Sequence, residues 1–100
     1  MTTYRTRKQP TLPEFLRQRR LSAGLSQKDV SDVMGYSTAQ FVSNWERGTS
    51  HPPMNALRKL CQVYRVSADQ LYEVLLADTL DRTEKELERE FFRTRTQNRK

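Results

Sequence analysis

The stretch SQKDVSDVMGYSTAQFVSNWERG, residues 26–48, contains two short amphipathic segments joined at Gly35. Ser26 can cap the start of the first segment, and Gly35 can end it because glycine readily takes the left-handed conformation of a tight turn. The second segment covers about residues 38–47 and ends before Gly48. A connection this short predicts two helices that cross at a steep angle.

The pattern of side chains predicts an apolar contact between these helices and a polar outer face. We expect the contact to bury Val30, Val33, Met34, Val42 and Trp45. Phe41 is also expected in the core, because its spacing to Trp45 matches helix packing. Ser31 is small enough to allow a close approach. The second helix then presents amide and hydroxyl groups and no acid on its outer side, through Ala39, Gln40, Ser43, Asn44 and Arg47.

Such a polar face suits DNA. The major groove is about 12 Å wide and admits one helix, Gln and Asn can pair with the edge of adenine, and an Ala methyl group can touch thymine. The unpaired N–H groups at a helix start, together with the amide of Gln27, suit a phosphate. The second helix is therefore predicted to read bases.

Helix signals continue on both sides of this stretch, and strand signals are almost absent. The pattern Thr11-Leu-Pro-Glu14 predicts a helix that ends near Ser22. Prolines at 52–53 introduce a fourth helix, and Ser67 caps a fifth. Their inward side chains are expected to be Leu12, Phe15, Leu16, Leu21, Met54, Leu57, Leu60, Cys61, Tyr64, Leu71, Val74 and Leu75. We predict an all-α fold with a five-helix domain over residues 11–77.

The charge favours an anionic partner. The net charge is +6, and residues 1–20 hold six basic side chains against one acid. A flexible basic arm, residues 1–10, and the first helix thus carry most of the excess, as in many nucleic-acid binders. The arm is a candidate for a minor groove; the alternative is a basic tail that only aids solubility.

Residues 78–100 form a charged tail whose apolar side chains, with Leu76, fall at roughly heptad spacing: Leu76, Leu80, Leu87 and Phe91. The pattern Thr83-Glu-Lys-Glu86 can cap a new helix. We expect a sixth helix that packs on the domain, pairs with a second protomer or binds another protein. The alternative is a charged, partly frayed extension.

Several classes of protein are disfavoured. No apolar run is long enough to cross a membrane and no signal-peptide pattern opens the chain, which favours the cytoplasm. One cysteine, Cys61, and one histidine, His51, make a metal site or an internal disulfide improbable, and no cofactor is expected. The chain has no glycine-rich phosphate loop and no nucleophile set with a plausible pocket, so we do not expect an enzyme.

A resemblance to a known family rests on Leu25-Ser-Gln-Lys-Asp-Val30, Gly35, Val42-Ser43, Glu46-Arg-Gly48, Pro52 and Val66-Ser67. Together these residues resemble the phage-repressor-like, or XRE/Cro-type, helix-turn-helix family over about residues 12–76. The resemblance implies a DNA-binding domain that usually acts as a dimer on a palindromic operator. It also implies roles for particular positions.

By this resemblance, the bases are read by Ala39, Gln40 and Asn44, with Ser43 beside them. Phosphate contacts fall on Gln27, Lys28, Arg47, Thr49 and Ser50. Arg20 is expected to pair with Glu46 as a structural ion pair. Two departures stand out: one residue more than usual lies between Gly35 and Glu46, which we place in the turn at Tyr36-Ser37, and Arg65 replaces a common glycine.

The sequence thus predicts a transcriptional regulator that binds double-stranded DNA, in the form of a homodimeric repressor. Two alternatives remain open. One is an antitoxin that binds DNA through the domain and a toxin through residues 78–100. The other is a helical protein-interaction module that does not bind DNA.

Overall fold

A computed structural model describes the chain from residue 9 to residue 98, with side chains through Arg93. This part consists of five helices and no strand: α1 (Leu12–Ser22), α2 (Gln27–Met34), α3 (Gln40–Arg47), α4 (Met54–Tyr64) and α5 (Ala68–Asn98). The predicted all-α fold is confirmed. The predicted basic arm, residues 1–10, lies outside the described residues except for Gln9 and Pro10.

Side-chain caps set the starts of α1 and α2. The hydroxyl of Thr11 accepts a hydrogen bond from the N–H of Glu14, whose carboxylate accepts one from the N–H of Thr11. Ser26 and Asp29 repeat this reciprocal arrangement at α2, with both N···O distances at 2.9 Å. The hydrogen bonds from Ser26 lower the pKa of Asp29, because they favour its charged form.

The buried core joins all five helices. Its apolar members are Leu12, Phe15, Leu16, Val30, Val42, Trp45, Ala56, Leu57, Leu60, Tyr64, Val66, Leu71 and Val74. Four residues expected inside, Leu21, Val33, Met54 and Phe41, are more than half exposed instead, at 52%, 53%, 56% and 53%. The helix rotations explain the first two, since neighbouring Arg20 turns inward on α1 and Ser31 takes the inner position on α2.

The corner between α4 and α5 keeps a left-handed conformation without glycine. Arg65 has φ 58°, and the N–H of Val66 donates to the carbonyl of Cys61 at 2.9 Å, closing the helix end. Gly35 and Gly48 provide the same conformation at the ends of α2 and α3. For a residue with a Cβ atom this conformation costs about 1 kcal/mol, so Arg65 stores strain that the glycines do not.

The C-terminal region differs from the sequence prediction. Instead of a separate sixth helix capped at Thr83, α5 continues unbroken from Ala68 to Asn98. The Thr83-x-x-Glu86 pattern therefore lies inside a helix, where it forms no start. The near end of α5 packs on the domain, and the carboxylate of Asp78 accepts the N–H of Leu12 at 3.4 Å. Among residues 81–93 every side chain is exposed except that of Glu84.

Candidate nucleic-acid interface

The segment from α2 to α3 forms a compact pair of helices. The turn between them runs from Gly35, at φ 85°, to Ala39, and the N–H of Tyr36 donates to the carbonyl of Ser31 at 2.9 Å. Ser31 is fully buried, and its hydroxyl has no hydrogen-bond partner. The small side chain therefore serves the close approach of neighbouring elements rather than a polar contact.

The helix α3 begins slightly later than the sequence suggested. Ala39 occupies the position before its first residue, and the hydroxyl of Thr38 accepts the N–H of Gln40 at 3.2 Å. Val42 and Trp45 are buried against the core. The helix α3 is regular from Gln40 to Arg47, and the turn before it extends from Gly35 to Ala39.

The outer side of α3 brings most of the predicted base-reading residues together. Gln40 and Arg47 are exposed, and Ser43, Asn44 and Ala39 are half-buried. The guanidinium of Arg47 donates to the side-chain oxygen of Asn44, one turn earlier. Because about 100° of rotation separates successive residues, Gln40, Asn44 and Arg47 fall on one stripe, while Ala39 and Ser43 lie on its flank.

Phe41 was expected in the core and is 53% exposed instead. Its ring packs on that of Tyr36, with 4.9 Å between ring centroids, and Tyr36 in turn meets Trp45 edge-on at 5.9 Å. The apolar spacing to Trp45 misled the prediction, because Val42 and Trp45 fill the inner side of α3 and leave Phe41 at its edge. Sequence reasoning missed both Phe41 and Tyr36 as surface features.

On the inner side of α3, a buried ion pair joins three elements. The guanidinium of Arg20 binds both carboxylate oxygens of Glu46, at 2.6 and 3.0 Å, and donates to the carbonyl of Leu25 at 2.9 Å. The amide of Gln27 also donates to Glu46, at 3.0 Å. Hydrogen bonding to Glu46 raises the pKa of Arg20, and burial, followed by the nearby charge of Glu46, raises that of Tyr64.

The predicted phosphate-binding residues lie at two edges of α3. Lys28 is exposed on α2 and pairs with Asp32 at 2.8 Å. Thr49 and Ser50 are exposed just after α3, where their N–H groups donate to the carbonyl of Asn44 at 2.9 and 3.4 Å. Gln27 is half-buried through its bond to Glu46, so only part of its amide faces outward.

Three further features of the described residues concern metal ligands, the cysteine and membrane spans. Among the side chains of residues 9–93, no group of three or more His, Cys, Asp or Glu is arranged to hold a metal ion. Burial raises the pKa of the Cys61 thiol, which disfavours the reactive thiolate at neutral pH. Within the described range, no helix is apolar enough over a sufficient length to span a bilayer.

The sequence model of a helix-turn-helix family matches residues 16–71, which extend from within α1 to the start of α5. The chain belongs to the XRE-type helix-turn-helix family. This finding confirms the predicted family, and it makes the protein a DNA-binding transcription regulator whose partner is double-stranded DNA. No curated protein and no solved structure matches the chain.

The matched residues include α2 and α3, the two consecutive helices joined at Gly35. In helix-turn-helix proteins the second helix of the motif lies in the major groove. The matched segment ends at residue 71, so most of α5 lies outside it.

Proposed function

We propose that the protein is a cytoplasmic transcriptional repressor that binds a palindromic operator as a homodimer, with α3 in the major groove. The observation that supports it best is the outer stripe of α3, where Gln40, Asn44 and Arg47 stand together without an acid. The opposite side of α3 is fixed to the core by Val42 and Trp45. A rigidly mounted helix with outward amides is suited to reading base edges.

Within this proposal, Gln40 and Asn44 are the main base-reading residues. The side-chain oxygen of Asn44 accepts a hydrogen bond from Arg47, and the N–H groups of the same amide would donate to base acceptors. Ala39 and Ser43 touch the bases beside them. A good bidentate amide–base pair discriminates by about 1–3 kcal/mol, so loss of Gln40 or Asn44 should relax sequence preference at defined positions.

Phosphate contacts would hold the domain in register. We assign them to two residues at the start of α2, Gln27 and Lys28, and to three at the end of α3 and just after it, Arg47, Thr49 and Ser50. The start of α2 adds backbone N–H groups that have no partner inside the helix. Such contacts contribute affinity rather than sequence discrimination, so their loss should weaken binding to all sequences alike.

Dimerisation is assigned to an apolar stripe on α5, here called the α5 stripe: Tyr72, Leu76, Leu80, Leu87 and Phe91. Four of them are exposed, at 61%, 42%, 65% and 67% for Tyr72, Leu76, Leu87 and Phe91. They share one side of the helix, roughly opposite the buried Leu71 and Val74. A second copy covering this stripe would present two α3 helices to one operator.

The test of DNA recognition is selection of bound sequences from a random duplex library. Wild type should enrich a palindrome with half-sites about 34 Å, one DNA turn, apart. Gln40→Ala plus Asn44→Ala should relax it at defined positions, while Gln62→Ala plus Gln70→Ala, exposed amides on α4 and α5, should not. If wild type enriches nothing even at low salt, the proposal fails and the interaction-module alternative replaces it.

The dimer is tested by sedimentation of wild type and of Leu87→Glu plus Phe91→Glu. We expect wild type to sediment as a dimer and the variant as a folded monomer with weakened operator binding. Arg89→Glu, on the other side of α5, is the control and should remain dimeric. A monomeric wild type that binds a different protein through the stripe would overturn the homodimer and favour the antitoxin alternative.

A further inference from the structure

Phe41 is the one large apolar side chain exposed on α3. It follows Gln40 directly, in the first turn of α3, and it lies about 100° round the helix from Gln40 and about 60° from Asn44. It therefore borders the outer stripe of α3 on the side away from Ser43. An exposed ring at this place has no structural duty in the core, since Val42 and Trp45 already fill the inner side.

The ring of Phe41 is held in position from beneath. Tyr36, in the turn before α3, packs on it with a centroid distance of 4.9 Å and an interplanar angle of 47°. Tyr36 is itself anchored to the buried Trp45 at 5.9 Å, edge-on. The three rings form a continuous row from the buried Trp45 to the exposed Phe41, so the ring of Phe41 is held in place by packing.

The turn between α2 and α3 supplies the middle ring. It runs from Gly35 to Ala39 and includes Tyr36. Tyr36 directly follows Gly35, which has the left-handed conformation, and the N–H of Tyr36 donates a hydrogen bond to the carbonyl of Ser31 at 2.9 Å. That bond fixes the backbone from which the supporting ring projects.

We propose that Phe41, positioned by Tyr36, is a specificity-determining residue that packs on the methyl group of a thymine in each half-site. The inference rests on the proposed function and adds one contact to it. In the major groove only thymine presents a methyl group, and apolar side chains including Phe read it by contact. The amide of Gln40 would pair with a neighbouring base, so Phe41 selects the base beside the one that Gln40 selects.

The test uses the operator that selection yields, with thymines replaced one at a time by deoxyuridine, which lacks only the methyl group. For wild type, one replacement per half-site should weaken binding about fourfold, the size expected for one buried methyl group. Phe41→Ala should bind thymine and deoxyuridine duplexes equally at that position. Because each ratio compares two duplexes with the same protein, it does not depend on the folded fraction of a variant.

Two further variants separate reading from support. Leu21→Ala removes an apolar side chain of equal exposure, 52% against 53% for Phe41, from the end of α1, and it should keep the full thymine-to-deoxyuridine ratio. Tyr36→Leu retains Phe41 but removes its supporting ring, and the ratio should shrink. A purely structural role for Tyr36 would lower stability and leave the ratio unchanged.

The outcomes distinguish this inference from the function on which it rests. An enriched palindrome with no thymine whose deoxyuridine penalty disappears in Phe41→Ala overturns the role of Phe41 and leaves the repressor proposal intact. Absence of any enriched sequence overturns both. A penalty that is present in wild type and Leu21→Ala, and lost in Phe41→Ala, supports the contact.

Discussion

Two arginines bind side chains of α3, and they do so on opposite sides of it. Arg20 is 7% exposed and directs its guanidinium at the carboxylate of Glu46 and the carbonyl of Leu25. Arg47 is exposed, and its guanidinium donates to the side-chain oxygen of Asn44, one turn away on the same helix. Burial therefore decides the role of each arginine: the buried Arg20 holds two helices together, and the exposed Arg47 remains accessible for contacts.

The largest effect is expected from removing the inner arginine. Arg20→Ala leaves the Glu46 carboxylate buried with only the amide of Gln27 as a side-chain partner. Breaking a buried ion pair in this way costs about 3–5 kcal/mol, which should be visible as a lower midpoint in urea unfolding. Arg17→Ala, exposed on the same helix, is the control and should change stability by less than about 0.5 kcal/mol. A loss below about 1 kcal/mol in Arg20→Ala would show that the pair does not hold α1 to α3.

An intermediate effect on stability is expected at Gln27, which has both a structural role and a proposed role in DNA binding. Its amide donates to Glu46 at 3.0 Å, and it is also assigned to a phosphate. Gln27→Ala should lower the free energy of unfolding by about 1 kcal/mol and weaken binding to specific and random duplexes by the same factor. Gln18→Ala, an exposed amide on α1, should do neither. Weakening confined to the specific duplex would place Gln27 among the base-reading residues instead.

The smallest effect on stability is expected at the outer arginine. Arg47→Ala should change the free energy of unfolding by less than about 0.5 kcal/mol. It should nevertheless reduce the slope of log affinity against log salt by about one, as expected for one lost phosphate contact. Titrations at several salt concentrations measure this slope, with Arg58→Ala on α4 as a control that should not change it. An unaltered slope with relaxed specificity would mean that Arg47 reads a base.

Much of the fold was predictable because local rules decide it. The caps at Thr11 and Ser26 follow from a hydroxyl residue with an acid three residues later, and each forms the reciprocal pair of hydrogen bonds. Gly35 and Gly48 end their helices in the left-handed conformation. The family followed from several such features at fixed spacings, and the assignment of α3 to base reading stays a prediction.

The remaining features depend on tertiary packing. A periodic pattern marks an apolar face but not its exact rotation, so Leu21, Val33 and Phe41 were expected inside and are more than half exposed. The cap pattern at Thr83 was ambiguous, because the same residues are tolerated within a continuing helix. Arg65 adopts the left-handed conformation at the corner between α4 and α5, although glycine adopts it far more readily than arginine.

The unbroken course of α5 has a mechanical consequence. Its N-terminal part is packed into the core through Leu71 and Val74, and the α5 stripe continues along the same helix to Phe91. Deleting one residue between Leu76 and Leu80 would rotate the following part of α5 by about 100° about the helix axis and shorten the helix by about 1.5 Å. The number of residues in α5 therefore fixes the direction in which the α5 stripe faces relative to α3, because no loop interrupts the helix.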